Sequence, residues 1–316
     1  MSFIPPTAPI LAFDQLTKKY GSVTAVAGLS AEVLPGRVTG FLGPNGAGKT
    51  TILRMLLGLT KPTSGRATVG GVGYSSLRRP AQTVGSALEM ARFASGRSAR
   101  NHLRVLAPAS RANDSKVDDL LRLVELGDVK RMKVGGFSLG MRQRLSLAAC
   151  LLGDPSVLVL DEPTNGLDPA GIAWLRTLLR GFAAEGKTVL ISSHLLAEVE
   201  QTVDDVLVIS QGHLVHAGSL PTLAALSSER VQLKIPAIDR IRAEAMLTDQ
   251  QNASWRPTDD GTAQIVTLTA PDFVATRSRL MAAGVPILGE TRRIASLEEA
   301  FLEAVKPAAS TEGPRS

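Results

Sequence analysis

The stretch GPNGAGKT, residues 43–50, decides the fold class of this 316-residue chain. It matches the pattern G-x-x-x-x-G-K-[ST], and it lies between the apolar run VTGFLG (38–43) and the helical pattern TTILRMLLGL (50–59). Glycines let the backbone curl so that successive N–H groups point at phosphate oxygens, next to the positive end of a helix. The stretch therefore predicts a phosphate-binding loop, in which Lys49 reaches the β- and γ-phosphates and the Thr50 hydroxyl binds Mg²⁺.

The stretch VLVLDEP, residues 157–163, is the second candidate for the chemistry. Its apolar half predicts a buried strand, and the carboxyl end of such a strand is the usual ligand edge of an α/β sheet. We expect Asp161 to hold Mg²⁺ through water and Glu162 to polarise an attacking water. A strand that ends in acidic residues is common, but phosphoryl transfer depends on positioning and charge stabilisation, so together with the phosphate loop this pair of carboxylates indicates hydrolysis of a nucleotide.

Short apolar runs alternate with helical patterns over residues 11 to about 220. Runs such as TVLIS (188–192) and VLVIS (206–210) are apolar throughout, as expected for central strands that are covered on both faces. This alternation predicts a mostly parallel α/β sheet. Residues 86–153 have mainly helical patterns and no strong strand, which predicts a helical insertion.

The pattern changes after residue 226, where strands and helices follow in the order β-α-β-β-α-β before the terminal helix SLEEAFLEAV (296–305). This series is compatible with a small α+β domain of the ferredoxin-like type. The predicted divisions of the chain are a flexible N-terminus (1–11), a nucleotide-binding domain (12–225, helical insertion about 86–153), an α+β accessory domain (226–306) and a disordered tail (307–316).

Composition narrows the class of protein. A hydrophobic content of 44% with 20% charged residues is typical of a folded globular chain, and no apolar run approaches the ~18 residues of a membrane-spanning helix. The single cysteine, Cys150, excludes an internal disulfide and is consistent with a reducing cytoplasm. Its apolar neighbours predict a buried, unreactive thiol.

The net charge of +6 is concentrated in one segment, residues 76–111, which has seven arginines and one acidic residue, Glu89. Such a segment fits a solvated basic face, a site for the acidic surface of a partner, or a contact with lipid headgroups. Nucleic acid ranks last among these partners, because Phe93 is the one aromatic residue among the arginines.

Taken in order, these motifs resemble those of the ATPase subunit of an ABC transporter over residues 12 to about 220. The resemblance implies a P-loop fold with a RecA-like core sheet and a helical subdomain, and it implies that ATP is bound and hydrolysed. It assigns Tyr20, in LTKKYGS, to stacking on adenine. It assigns Asp168, in NGLD (165–168), to the loop that meets an opposing subunit, and His194, in ISSH, to the catalytic switch.

The predicted site residues divide by role. The catalytic candidates are Glu162, His194 and Lys49. The candidates for binding ATP are Tyr20, Gly43, Pro44, Asn45, Gly46, Ala47, Gly48, Lys49, Thr50 and Thr51. The candidates for binding Mg²⁺ are Thr50, Asp161 and Glu89.

Two positions depart from the family pattern. Aligning VGSALEMARF puts Glu89 where the family usually has a glutamine. Either side chain offers an oxygen to Mg²⁺ or to the attacking water, but glutamate adds charge. The stretch FSLGM (137–141) keeps the second and fourth residues of the family signature L-S-G-G-Q, because Leu139 replaces a glycine and Met141 replaces the glutamine.

The residues around Ser138 allow two interpretations. As an N-cap of the helix that follows, Ser138 needs no partner molecule. The Ser138 hydroxyl and the Gly140 amide at a helix N-terminus also form a phosphate site. The resemblance implies the second interpretation, in which these groups contact the γ-phosphate of ATP held by another subunit while secondary hydrogen bonds weaken.

The resemblance further implies a head-to-tail homodimer, a separate integral membrane permease, no nucleic acid partner, and a peripheral position on the cytoplasmic face of the cell membrane. The FSLGM signature, Glu89 and the SLEEAFLEAV ending resemble the drug- and antibiotic-exporter (ABC-2 type) branch. The alternative function is a soluble ATPase that acts as an ATP-driven clamp or regulator without a membrane partner.

Overall fold

The computed structural model describes residues 8–88, 93–225, 230–247, 254–293 and 297–305. These residues form two compact units, the first up to Leu220 together with Ala304 and Val305, the second within Pro221–Glu303. The strands of the first unit are β1 (Leu11–Tyr20), β2 (Val23–Val33), β3 (Val38–Leu42), β4 (Ser64–Val69), β5 (Val84–Ala87), β6 (Val157–Leu160), β7 (Thr188–Ser193), β8 (Asp205–Ser210) and β9 (His213–Ser219). Its helices are α1 (Lys49–Leu56), α2 (Pro80–Thr83), α3 (Ala99–Ser110), α4 (Asp114–Leu123), α5 (Leu139–Cys150), α6 (Pro169–Ala184) and α7 (Leu196–Val199), and α8 (Leu220–Ala225) follows.

The central sheet of the first unit has the strand order β5-β6-β7-β3-β8-β9. Its first five strands run parallel, and β9 pairs antiparallel with β8. Strands β3, β6 and β7 are buried along their whole length because helices and a second sheet cover both faces. The prediction of a mostly parallel α/β sheet is therefore confirmed, and the carboxyl ends of these strands form one edge.

A three-stranded antiparallel sheet with the order β2-β1-β4 was not predicted. Its pairing has several register shifts, so the apolar residues of β1 do not alternate regularly with polar ones. Its buried side chains join the same core as α1 and the central sheet, and the rings of Phe13 and Phe41 stack at 6.5 Å. The antiparallel sheet thus covers one side of the core that carries the phosphate loop.

Residues 8–11 differ from the predicted flexible N-terminus (1–11). The carbonyl of Pro9 accepts a hydrogen bond from the Thr188 hydroxyl at 2.8 Å, and Leu11 is fully buried in β1. The prediction is wrong for these four residues because they are bonded to the rest of the unit. Residues 1–7 and the predicted tail (307–316) lie outside the described residues.

The predicted helical insertion (86–153) begins with a strand, because β5 pairs parallel with β6 at the edge of the central sheet. The sequence VGSA of β5 gives no strand signal, since it has a glycine and a serine in place of apolar residues. Gly85 is required there because a Cβ would lie 2.3 Å from the carbonyl oxygen of Cys150. Beyond β5, helices α3, α4 and α5 agree with the prediction of mainly helical structure.

The second unit is a four-stranded antiparallel sheet with the order β11-β12-β10-β13. Its elements are β10 (Arg230–Pro236), α9 (Arg240–Met246), β11 (Ser254–Pro257), β12 (Ala263–Thr269), α10 (Ala270–Ala282) and β13 (Gly289–Arg293), and the helix α11 (Leu297–Val305) follows. The order of elements and of strands is that of a ferredoxin-like unit, as predicted. Its core includes Leu233, Val266 and Leu280, and within the described ranges it has no residue in common with the core of the first unit.

The structure bears on two predictions that were made from composition, one about the cysteine and one about membrane-spanning helices. Cys150 is buried, as predicted, and burial raises the pKa of its thiol to about 12, which disfavours the reactive thiolate. Within the described ranges, no helix is both long enough and apolar enough to cross a membrane.

Candidate active site

The phosphate loop occupies the turn between β3, which ends at Leu42, and α1, which begins at Lys49. Gly48 has a φ of 106°, and a Cβ there would lie 2.6 Å from the carbonyl oxygen of Ala25. Glycine is therefore the residue that this turn accepts. The loop forms one wall of a cleft of about 460 Å³. The residues lining the cleft are Ala25, Asn45, Gly46, Ala47, Gly48, Lys49, Thr50, Thr51, Gln143, Asp161, Glu162 and Asn165.

Lys49 is buried and held by the loop itself. Its Nζ donates to the carbonyl oxygen of Gly43 at 2.5 Å and lies 3.3 Å from that of Pro44. Burial lowers the pKa of the Lys49 ammonium, while the carboxylates of Glu162 and Asp161 act in the opposite direction. The predicted phosphate ligand is thus a positive charge that is fixed in place at the base of the cleft.

Asp161 and Thr50 meet at the edge where β6 ends. The Thr50 hydroxyl donates to Asp161 Oδ2 at 2.9 Å, and the Ser192 hydroxyl donates to Asp161 Oδ1. Carboxylate and hydroxyl oxygens are the donor atoms that suit Mg²⁺. The chemistry of this pair therefore fits a magnesium ion next to the phosphate loop.

Glu162 lies one residue further along, with a φ of 48°. Its backbone N–H donates to the Ser192 hydroxyl at 2.9 Å, and its Oε2 lies 2.9 Å from His194 Nδ1. Its Oε1 lies 3.7 Å from Lys49 Nζ. Glu162, His194 and Lys49, which are far apart in the sequence, therefore converge at one end of the cleft.

Ser192 belongs to this arrangement and was not singled out from the sequence. It bonds both the Asp161 carboxylate and the backbone of Glu162, so it fixes the end of β6 against the end of β7. The sequence contains no signal for it, because the register that sets Leu160 opposite Ile191 in the parallel strands β6 and β7 is visible only in the structure. This register places Asp161 and Ser192, the residues that follow, side by side at the carboxyl edge.

Ser138 caps α5 by accepting a hydrogen bond from the Met141 N–H at 3.2 Å, so the predicted N-cap is confirmed. The side chain is exposed, and neither Ser138 nor Gly140 lines the cleft of its own chain. Asp168 caps α6 by accepting from the Gly171 N–H at 2.8 Å. The structure therefore leaves Ser138 accessible to a second molecule and gives Asp168 a bond within its own chain.

One other predicted residue, Tyr20, does not reach the cleft. The ring of Tyr20 lies at the end of β1, is 51% exposed, and has the Lys18 ammonium 4.8 Å from its centroid, but it does not line the cleft. Glu89, the third candidate for binding Mg²⁺, lies outside the described residues. Gln143 and Asn165 line the cleft although no role was predicted for either side chain.

The arginine-rich segment (76–111) is partly neutralised within the first unit. The Arg100 guanidinium bonds Asp118 through Nε at 2.9 Å and Nη2 at 3.0 Å, and Arg104 pairs with Asp114 at 3.0 Å. The acidic partners come from α4, just beyond the segment that was counted. For these two arginines, structural ion pairs account for the charge better than a contact with an external partner does.

Comparison with known proteins agrees with this geometry. The sequence model of the ABC transporter family matches residues 26–165. The chain is 44% identical over 209 residues to the bacitracin transport ATP-binding protein BcrA of Bacillus licheniformis, a match that covers 65% of this chain and 68% of that protein. It is 34% identical over 300 residues to the uncharacterized ABC transporter ATP-binding protein YcbN of Bacillus subtilis (strain 168), covering 94% and 97% of the two chains. A solved ATP-binding subunit of an ABC transporter superposes with a TM-score of 0.63 at 25% identity, covering 68% of this chain and 92% of that one.

The chain therefore belongs to the ABC transporter family. It is the ATP-binding subunit of such a transporter, an ATPase that powers transport. The comparisons support this function over the alternative of a clamp or regulator without a membrane partner.

Proposed function

We propose that Glu162 polarises the water that attacks the γ-phosphate of ATP. His194 and Lys49 set the position of the Glu162 carboxylate. The observation that carries this proposal is the set of contacts to the Glu162 carboxylate, 2.9 Å from His194 Nδ1 and 3.7 Å from Lys49 Nζ. A carboxylate held from two sides at the wall of the cleft is restricted in orientation. Since hydrolysis depends on the placement of the water, this restriction favours a catalytic role.

The remaining site residues have roles in binding. The phosphate loop (43–50) and Thr51 hold the phosphates through backbone amides and Lys49, and Tyr20 stacks on the adenine. Thr50 and Asp161 would hold Mg²⁺, together with Glu89, and the ion would neutralise charge on the phosphates. The bond between Thr50 and Asp161 supports this assignment because it already brings two oxygen ligands together.

The exposed N-terminus of α5 supports a head-to-tail homodimer. Ser138 and Gly140 lie outside the cleft of their own chain, and a helix N-terminus with a free hydroxyl face suits a phosphate. In the dimer, each chain would cap the γ-phosphate of ATP bound in its partner. Asp168, in the neighbouring loop, would face the same interface.

We infer a role in the export of drug-like or antibiotic molecules. The similarity to a bacitracin transport ATP-binding protein supports this inference. The subunit would act on the cytoplasmic face of the cell membrane, coupled to a separate integral membrane permease and without nucleic acid. The ATPase domain would comprise residues 12–225, and the accessory domain (226–306) would be a distinct functional part.

The dimer and the roles of Glu162 and Ser138 are tested together by trapping ATP. Glu162→Gln keeps the shape of the side chain but not its charge, so hydrolysis should stop while ATP binding remains. With ATP and Mg²⁺, this variant should have twice the monomer mass by light scattering. A Glu162→Gln protein that stays monomeric at saturating ATP contradicts the proposed dimer.

A matched pair of serines separates the cap of a helix from a contact with the partner. Ser98 caps α3 as Ser138 caps α5, accepting from the Asn101 N–H at 3.3 Å. In the Glu162→Gln background, Ser138→Ala should weaken the dimer, whereas Ser98→Ala should lose a similar capping bond and still dimerise. Equal dimerisation of both variants would contradict a role of Ser138 across the interface.

The transport role is tested by purifying the tagged chain from the membranes of its host. A permease should co-purify, and the ATPase rate of the complex in lipid vesicles should rise with the transported molecule, with a peptide antibiotic such as bacitracin as the first probe. If no integral membrane protein co-purifies, the assignment to a membrane complex is wrong. If a permease co-purifies but peptide antibiotics leave the rate unchanged, the substrate class is wrong.

A further inference from the structure

Two loops meet beside the N-terminus of α5 within a single chain. One is the signature segment (137–141), and the other, which we call the dimer loop, comprises residues 165–168. A Cβ on Gly140 would lie 2.9 Å from the carbonyl oxygen of Gly166, so the two backbones are in close contact. The helices that begin here are each capped by a side chain of these loops, Ser138 for α5 and Asp168 for α6.

Leu139 fills the space that Gly166 leaves. Gly166 has a φ of 79°, and a Cβ there would lie 2.2 Å from Leu139 Cγ and 2.4 Å from Leu139 Cδ2. The Leu139 side chain is 42% exposed, so it lies across the dimer loop at the surface of the unit. Leu139, which departs from the signature pattern, therefore contacts the dimer loop, and this contact requires a glycine at position 166.

The dimer loop is joined to the catalytic end of the cleft by short bonds. The Asn165 N–H donates to the carbonyl of Glu162 at 3.1 Å, and the Leu167 N–H donates to the carbonyl of Thr164 at 3.1 Å. The Thr164 hydroxyl, which is buried, donates to Glu198 Oε2 at 2.7 Å. Consecutive turns thus connect the backbone at Gly166 to the backbone of Glu162.

We propose that Leu139 is a positioning residue for ATP hydrolysis. It clamps the dimer loop onto the N-terminus of α5, so that the surface carrying Ser138 and the backbone behind Glu162 move as one body. In a signature with glycine at this position, the same contact would be missing. The part of this inference that concerns the nucleotide of a partner rests on the proposed head-to-tail dimer, whereas the contact between Leu139 and Gly166 does not.

The first test compares three substitutions in steady-state ATPase assays. Leu139→Ala removes the atoms that touch the dimer loop and should lower kcat about tenfold, with KM for ATP within about twofold of the wild-type value. Leu139→Met retains most of the contact and should have a kcat close to the wild-type value. Leu34→Ala is the matched control, because Leu34 is 41% exposed and lies in the turn after β2, away from the site.

The second test is a double-mutant cycle with Gly166→Ala. In the wild-type background this substitution adds both a clash with Leu139 and the strain of a positive φ, so kcat should fall sharply. In the Leu139→Ala background the two closest atoms are gone and the strain remains. The fall in kcat caused by Gly166→Ala should therefore be at least about threefold smaller in that background.

The outcomes separate this inference from the proposed function. If Leu139→Ala has the same kcat as Leu34→Ala, or if the cycle is additive, Leu139 does not position the dimer loop. If the cycle is non-additive but Ser138→Ala leaves the trapped dimer intact, the contact between the loops stands and the role of Ser138 across the interface fails. If Leu139→Met has the same low kcat as Leu139→Ala, a side chain of similar size does not replace leucine, and the proposed clamp is wrong.

Discussion

At the scale of single residues, the site depends on a serine that has no catalytic chemistry of its own. The Ser192 hydroxyl donates to Asp161 and accepts from the backbone N–H of Glu162, which ties the two acidic residues to β7. Both groups are buried or half-buried, and without this hydroxyl the Glu162 N–H would lose its bond and the Asp161 carboxylate would keep only the bond from Thr50. An unsatisfied buried polar group costs roughly 1–3 kcal/mol, and here it would also free the Glu162 backbone to move.

We therefore expect Ser192→Ala to lower the free energy of unfolding by about 1–3 kcal/mol and to lower kcat by more than tenfold, on the order of what misplacement of a reacting group costs. Ser156→Ala is the control, because that hydroxyl donates to the carbonyl of Thr83 at 3.4 Å, away from the cleft. Chemical denaturation and ATPase assays provide the two measurements. A Ser192→Ala enzyme with unchanged kcat would show that the Glu162 backbone is held without this bond.

At the scale of elements, charge joins the helices of the helical subdomain. Arg100 on α3 bonds Asp118 on α4 through both oxygens, and Lys130 adds a third contact at 3.1 Å. The hydrogen bonds from Arg100 and Lys130 hold the pKa of the Asp118 carboxyl well below its usual range. A group whose pKa is lower in the folded state stabilises the fold above its unfolded pKa, and this stabilisation is lost as pH falls towards the folded pKa.

This linkage gives a pH-dependent prediction for Asp118→Asn. The variant should melt at a lower temperature than the wild type at pH 7. The difference should shrink as pH falls below about 4, where the unfolded carboxyl becomes protonated and the wild type loses the same stabilisation. Thermal melts followed by circular dichroism from pH 7 to pH 3 measure it.

Asp119→Asn is the control, because Asp119 pairs with Arg122 one turn along the same helix and both side chains are more than half exposed. Surface pairs of this kind contribute little to stability. Similar melting temperatures for the two variants at pH 7 would indicate that the charge cluster does not join α3 to α4. A contact with an external partner would then explain the charge of the basic segment (76–111) better than internal ion pairs do.

At the scale of the whole molecule, each unit has its own buried core, with Phe41 and Ile52 in the first and Leu233 and Leu280 in the second. Among the residues that the structure describes, those that line the cleft all belong to the first unit. Two separate cores favour two unfolding transitions, and a ligand raises the transition of the unit that binds it. The contribution of the accessory domain to function therefore has to be measured separately from ATP binding.

We expect Leu280→Ala to destabilise the second unit by about 2–5 kcal/mol, because it removes a fully buried leucine, and to leave the first transition in place. Leu56→Ala is the matched variant in the core of the first unit, where it is also fully buried. Calorimetry with and without ATP distinguishes them, since ATP should raise the transition that Leu56→Ala lowers. A single transition that shifts with ATP and with Leu280→Ala would refute independent cores.

The sequence by itself determined the class of this protein, because that class depends on local patterns. GPNGAGKT (43–50) and VLVLDEP (157–163) can be interpreted from the strands and helices next to them in the sequence. The parallel sheet and the β-α-β-β-α-β unit are predicted by the periodicity of apolar residues along the chain. The N-cap at Ser138 was predictable for the same reason, since an N-cap bonds residues that are three positions away.

The tertiary structure alone decided which residues touch across the chain. The antiparallel sheet β2-β1-β4, the strand VGSA, the role of Ser192, and the pairing of Arg100 with Asp118 depend on elements brought together by folding. The contact between Leu139 and Gly166 is of the same kind. A hydrogen bond, an ion pair or a steric fit depends on distance in space, and a single sequence records distance along the chain.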